Sequence, residues 1–262
     1  LWWRRKRQSN PFPKTRQKMW KNASGLHCSI FKDSMPLPSF LAKPIFHLIY
    51  TFMRRKEGAT TSLIRRKVLP VDETRKQAFD YLLDSALIGN PRVPISYNLA
   101  YPKAEFLNYI CDWRGFVVHG SPLADLVTLQ PVRKSADKNE FGNRQHIFAS
   151  PDANSPMWFA ILDKAKFNQT RNGSVRIGRG QNRVKYYHFE LPKENKENSP
   201  FAEGMIYIAQ AKDFPDKRPY PILDWFDAEI EEWGSTNPVS PLAKIRVSPR
   251  DFPYLDKVQF SL

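Results

Sequence analysis

Cysteine is nearly absent: Cys28 and Cys111 are the only two in 262 residues. Two cysteines cannot build a disulfide framework, which points to a reducing, cytoplasmic setting. Cys111 follows Tyr109 and Ile110 in an apolar run and reads as a buried small hydrophobe, not a nucleophile. Glycine is scarce, with 11 residues against 22 prolines, which predicts many loops and few very long helices. The five histidines (His27, His47, His119, His146, His188) show no HExxH spacing, and the cysteines form no CxxC, so the spacing predicts no metal site. A P-loop and a Gly-x-Ser-x-Gly elbow are missing too, which removes the commonest NTPase and hydrolase readings. Nor is there an apolar run of the roughly 20 residues that a membrane crossing needs. The one candidate lies in residues 38–56. Lys43, Pro44 and His47 interrupt it and Arg54, Arg55 and Lys56 follow it, so it reads as an interfacial amphipathic helix or a helix packed on the body. The chain has no initiating Met, as expected of a fragment or an upstream in-frame extension.

What is abundant is positive charge, and it is unevenly placed. The net charge is +15, yet residues 1–76 alone hold 18 Lys and Arg against Asp33, Glu57, Asp72 and Glu73, a net of +14. The rest is almost neutral. The expected division is therefore a basic, flexible or peripheral extension over 1–76 and a globular domain over 77–262. Such an extension attracts polyanions, meaning nucleic acid or an anionic membrane, through salt-sensitive long-range forces, or is simply solvated. The near-neutral body argues against a groove-type nucleic-acid reader. With 41% apolar and 13% aromatic residues the chain can bury a sizeable core.

Helical spacing of Phe79, Leu82, Leu83, Ala86 and Leu87 predicts a helix over 72–88, with Asp72 as N-cap and Gly89-Asn90-Pro91 as its stop. A second is predicted over 102–113, with Phe106, Leu107, Ile110 and Trp113 on one face. Strands are predicted over 115–118, 146–150, 185–191, 204–209 and 242–247, and a helix opens behind Pro156. Residues 132–145 and 168–183 read as polar loops, the second carrying Arg171, Arg176, Arg179 and Arg183 as solvated residues or as a grip for phosphate. Phe252, Leu255 and Val258 of the tail are expected to pack on the body. Helices first and then mostly strands give an α+β fold with a split antiparallel sheet, not a doubly wound parallel one.

One constellation is dense. A short strand runs into His119-Gly120-Ser121, which offers an imidazole, a backbone that a ligand can approach closely, and a hydroxyl. These groups suit a ribose and a carboxamide; the tripeptide equally suits a strand-ending turn. Further on come Ile147-Phe148-Ala149-Ser150, then Trp158 eight residues past Ser150, then Glu232-Trp233 before the strand over 242–247. In order and rough spacing these segments resemble the ADP-ribosyltransferase superfamily, and within it the catalytic core of poly(ADP-ribose) polymerases. The likeness covers about half the chain, from Gly115 to Val247, through short motifs alone.

The resemblance implies two facing antiparallel sheets with NAD⁺, the substrate, in a cleft between them. By it, His119 would bond the adenine-side ribose, with Gly120 and Ser121 fixing the nicotinamide amide. Phe148 and Ser150 would lie beside the dinucleotide. Trp158 would stack on nicotinamide, and Glu232 would hold the ribose 2′-hydroxyl and stabilise positive charge as nicotinamide leaves. ADP-ribose would pass to a protein or nucleic-acid acceptor. Departures from the pattern are Ser150, where an acid is common, and Trp158, where Tyr or Phe is usual. Within Glu229-Ile230-Glu231-Glu232, Glu231 is the second choice of carboxylate, and the run also suits a solvated acidic turn. The competing expectations are a non-catalytic module of the same fold that binds a ligand or nucleic acid, and a membrane-surface interaction protein.

Overall fold

The computed structural model describes residues 63–68, 70–131, 145–167, 169–177, 184–223 and 228–261, with Pro44, Ile45 and Leu48; over 218–231 it describes backbone alone. The chain divides after Leu37, and all of these residues belong to its second unit, Pro38–Leu262. Residues 132–144 of the loop expected over 132–145, and most of the 38–56 segment, fall outside the described residues. No described helix is long and apolar enough to cross a membrane.

The described elements run β1 (Ile64–Arg65), α1 (Glu73–Ile88), α2 (Lys103–Trp113), β2 (Phe116–Ser121), β3 (Ile147–Ala149), α3 (Asn154–Ile161), β4 (Arg171–Ile177), β5 (Val184–Leu191), β6 (Gly204–Gln210), β7 (Asp216–Leu223), β8 (Ala228–Ser235), β9 (Ala243–Val247) and β10 (Gln259–Phe260). The class is mixed α+β. One sheet has the order β1-β5-β4-β8-β3, with β7 beside β8 and β10 beside β5; a smaller one has the order β2-β6-β9. Every pair is antiparallel except β10 with β5.

Local signals explain the first helix. Asp72 is extended and its carboxylate accepts from the Arg75 amide at 2.8 Å, so it caps α1 where the sequence places the start. Gly89 closes it, its amide bonded to the Ser85 carbonyl. Phe79 and Leu83 are wholly buried, Phe79 edge-on to Phe106 of α2 at 5.6 Å. Trp113 departs from expectation: it is the last residue of α2 and is 72% exposed.

Two glycines fix α3 against the smaller sheet. A Cβ on Gly120 would stand 1.8 Å from the Pro156 carbonyl oxygen, and one on Gly204 would stand 2.0 Å from that of Ala160. Strand alternation puts Val118, Ile206, Ile208 and Ile245 on this face, and they join Met157, Trp158 and Ile161 of α3 in the main core. The opposite face carries Val117, Met205, Tyr207 and Ala209, which pack with Leu129, Ile147, Ala149, Phe214 and Val239 in a second cluster. Each fully buried side chain of this size contributes about 1.5–3 kcal/mol.

Three regions differ from the sequence reading. Ile64 and Arg65 pair with Tyr187 and Tyr186 of β5, so the body takes in residues that the charge count assigned to the extension. Within the supposed loop 168–183, residues 171–177 form β4, whose Val175 and Ile177 are buried between polar neighbours. The acidic run is β8, paired along its length with β7, which contains Pro219 and Pro221. Among the described residues β7 pairs with β8 alone, an edge position in which a strand tolerates proline.

Candidate functional site

The three segments singled out in the sequence lie on three neighbouring strands. Val118 and Ser150 form a bridge, each amide donating to the other's carbonyl at 3.0 Å, which sets β2 beside β3. β3 in turn pairs with β8, Ala149 opposite Trp233 and Phe148 opposite Gly234. His119, the Ile147–Ala149 strand and Glu232 are thereby gathered within two strand spacings, about 10 Å.

His119 lies inside β2, opposite Tyr207 of β6, and not at a strand end. It is half-buried, and its Nδ1 stands 2.7 Å from the Phe148 carbonyl oxygen. A carbonyl only accepts, so Nδ1 carries the proton and Nε2 of the neutral ring is left as an acceptor. Burial lowers the imidazole pKa; the Phe148 carbonyl opposes that, and the Lys164 charge adds to it. The neutral form is thus favoured at pH 7. Beyond His119 the chain folds back over the sheet. The Tyr207 hydroxyl donates to the Leu123 carbonyl at 2.6 Å and accepts from the Leu126 amide at 3.1 Å, while Lys244 donates to the Ala124 carbonyl at 2.9 Å.

The other predicted residues are only partly brought to this place. Gly120 is next to His119, but its missing side chain makes room for α3. Ser121 is buried and accepts from the Leu123 amide at 3.1 Å, a local turn bond. Phe148 is half-buried, with its ring 5.9 Å from that of His146, which pairs with Asp216 at 2.7 Å. Ser150 donates to Asp152 at 3.0 Å. Trp158 is not at the site. It is 0% exposed, with ring centroids of Phe189, Phe201 and Phe252 at 4.9, 6.0 and 5.9 Å, and no face is left for a ligand. Its apolar setting in α3, behind Pro156, is that of a core residue.

Glu232 is half-buried on β8, its backbone paired with Arg218. The pleat separates it from His119. Ala149 and Trp233 share the row of His119, whereas Glu232 falls one residue on, in the row of Ser150 and Val118. Successive side chains of a strand point to opposite faces, so the imidazole and this carboxylate leave the shared ladder on opposite sides. The Glu231 side chain lies outside the described residues.

Asp152 was missed in the sequence. It is wholly buried and pairs with Lys185, and its oxygens also accept from the Tyr187 hydroxyl and the Asn154 amide, each at 3.0 Å. Asn154 donates to Tyr187 at 2.9 Å; Asn108 links Asn154 to Arg66, which also reaches Asp112 at 2.5 Å. Burial pushes the Asp152 carboxyl up, but the charges of Lys185 and Arg66, with hydrogen bonds from Lys185 and Tyr187, outweigh it and hold the pKa at about 2. The available signal was an acid two residues past Ser150, where the pattern lacked one. Burial makes this network an anchor for the start of α3, not a surface for substrate.

Among the described residues no cluster of three or more His, Cys, Asp or Glu is placed to hold a metal ion. Two shallow depressions, of about 320 and 420 Å³, are lined by residues 165–167 with Glu194 and Asn195, and by residues around Lys212, Ser235 and Val239; neither includes His119. No family model, curated protein or solved structure matches the chain.

Proposed function

We propose that the chain binds NAD⁺ across β2, β3 and β8 and transfers its ADP-ribose to a protein or nucleic-acid acceptor, releasing nicotinamide. What carries the reading is adjacency: three segments far apart in sequence, each resembling an ADP-ribosyltransferase motif, lie side by side. His119 fits its part. A neutral imidazole with Nδ1 committed to Phe148 has Nε2 as an acceptor for a ribose hydroxyl. The part that the resemblance gives Glu232, bonding the other ribose as positive charge grows with the breaking glycosidic bond, needs its carboxylate on the face of His119, and the pleat sends it to the other. Trp158 has no part in it, and Gly120, Ser121 and Ser150 serve by shaping the strands around His119. The acidic acceptors that suit the basic residues 1–76 are polyanions.

The pleat that sends Glu232 away from His119 favours a second reading, a module of the same fold that binds the dinucleotide without turning it over. Nicotinamide release measured beside NAD⁺ affinity separates the two. Release that disappears in His119→Ala and Glu232→Gln supports transfer. Binding with no release supports the module, and no binding removes both.

A further inference from the structure

The smaller sheet carries a polar row that extends beyond His119. Tyr207 of β6 stands opposite His119 of β2 on one side and Lys244 of β9 on the other, so all three side chains leave one face of the sheet. That face belongs to the second hydrophobic cluster, with Met205 and Ala209 two residues to either side of Tyr207. Tyr207 is wholly buried and Lys244 is 5% exposed. Among the described residues Lys244 pairs with no carboxylate, and its ammonium donates to the Ala124 carbonyl at 2.9 Å. A buried cation ordinarily sits against an anion; here one neutral acceptor faces three protons.

The row is covered by a strap, residues 122–128, which runs from β2 to the bridge between Leu129 and Val239. The strap turns its backbone inwards. Besides Ala124, the Leu123 carbonyl accepts from the Tyr207 hydroxyl at 2.6 Å, and the Leu126 amide donates to that hydroxyl at 3.1 Å. The Leu123 and Val127 side chains are largely exposed, while Ala124 and Leu126 rest on the second cluster. A segment held by three polar bonds and little apolar burial opens at lower cost than the sheet beneath it.

We propose that Tyr207 and Lys244 form a diphosphate-binding site, which the Leu123 and Ala124 carbonyls of the strap fill until the ligand displaces them. Two oxygens from consecutive carbonyls now meet two donors on adjacent strands. A diphosphate, free or within a nucleotide, offers neighbouring oxygens that carry full charge, so Lys244 exchanges a neutral acceptor for a charged one. The site stands apart from the transfer reading, which assigns neither residue.

The test is hydrogen exchange of the Leu126 amide in the full chain, at fixed ionic strength, with inorganic pyrophosphate or ADP-ribose added. In the wild type the ligand should free this amide and speed its exchange about two- to ten-fold, the worth of one hydrogen bond. Leu129, bonded to Val239, and Ile206 and Ile208 of β6 should keep their rates. Tyr207→Phe removes the acceptor of the Leu126 amide and should give a similar acceleration without ligand. In Lys244→Met the ligand needed for half the effect should rise at least about ten-fold, the loss of a charged hydrogen bond. Residues 1–76 are present in every variant, so that difference reads Lys244 and not the general attraction of a basic chain for anions. Unchanged β6 exchange shows that the variants fold. An equal response to both ligands assigns the site to the diphosphate itself, and a response to ADP-ribose alone assigns it to a nucleotide. Leu126 exchange that neither ligand changes, or a Lys244→Met chain that responds at the wild-type concentration, overturns the site. Neither result depends on nicotinamide release, which tests the transfer.

Discussion

Replacing Gly120 with Ala puts a methyl carbon 1.8 Å from the Pro156 carbonyl oxygen and 2.6 Å from its carbon. A carbon and a carbonyl oxygen tolerate about 3.3 Å at closest, so β2 and α3 must part by about 1.5 Å. The obstructing atoms are backbone and cannot rotate away. Overpacking of this kind costs about 1–3 kcal/mol and sometimes more, and the size of the shift argues for about 3 kcal/mol. Against a total stability of about 5–15 kcal/mol, that is a large share. With a urea m value of about 1–3 kcal/mol/M, the midpoint should fall by at least about 1 M, with no ligand present. Gly204→Ala meets the same helix one turn on, at Ala160, so the double variant should lose less than the sum of the singles, since one displacement of α3 relieves both. An unchanged urea midpoint in Gly120→Ala would refute the packing argument and return the residue to a ligand-approach role.

Asp152→Ala should cost about 3–5 kcal/mol, because it leaves the Lys185 charge buried alone; thermal unfolding checks it. The Asp152 carboxyl, held at about 2 when folded, stabilises the fold by about 2–3 kcal/mol at neutral pH. That contribution is complete above the unfolded value of about 4 and is lost as the pH falls through the folded one, so acid titration of stability should lose this step in Asp152→Asn. His119 titrates below its ordinary value, so the unfolded chain protonates first and stability falls as the pH drops below about 6.5. Nitrogen NMR should find its ring neutral at pH 7 with the proton on Nδ1, and a proton on Nε2 would contradict the bond to Phe148. Arg66→Met should cost about 2 kcal/mol through lost charged hydrogen bonds to Asn108 and Asp112, measured by urea unfolding.

The helices were legible because local signals agree with their packing. Asp72 and Gly89 bracket α1, and Phe79 and Leu83 fall on its buried face. Strands β2, β5, β6 and β9 announced themselves as apolar or alternating runs buried on both faces or one. β4 and the β7–β8 hairpin did not. β4 reads as a Gly- and Arg-rich loop because only Val175 and Ile177 of it are buried. β7 and β8 carry two prolines and four acids, and their pairing with each other, not their apolar content, makes them strands. Sequence order named the three segments of the site but carries no pleat. Whether His119 and Glu232 share a face depends on the Val118–Ser150 and Ala149–Trp233 registers. Trp158 shows the same gap: helical offset gave its place in α3, and only packing shows that the helix turns it into the core.

Nicotinamide release from NAD⁺ by the full chain tests the proposed transfer most directly. The account predicts steady release by the wild type, abolished in His119→Ala and in Glu232→Gln. No release from a folded wild type that binds NAD⁺, or release that both substitutions leave intact, would contradict it.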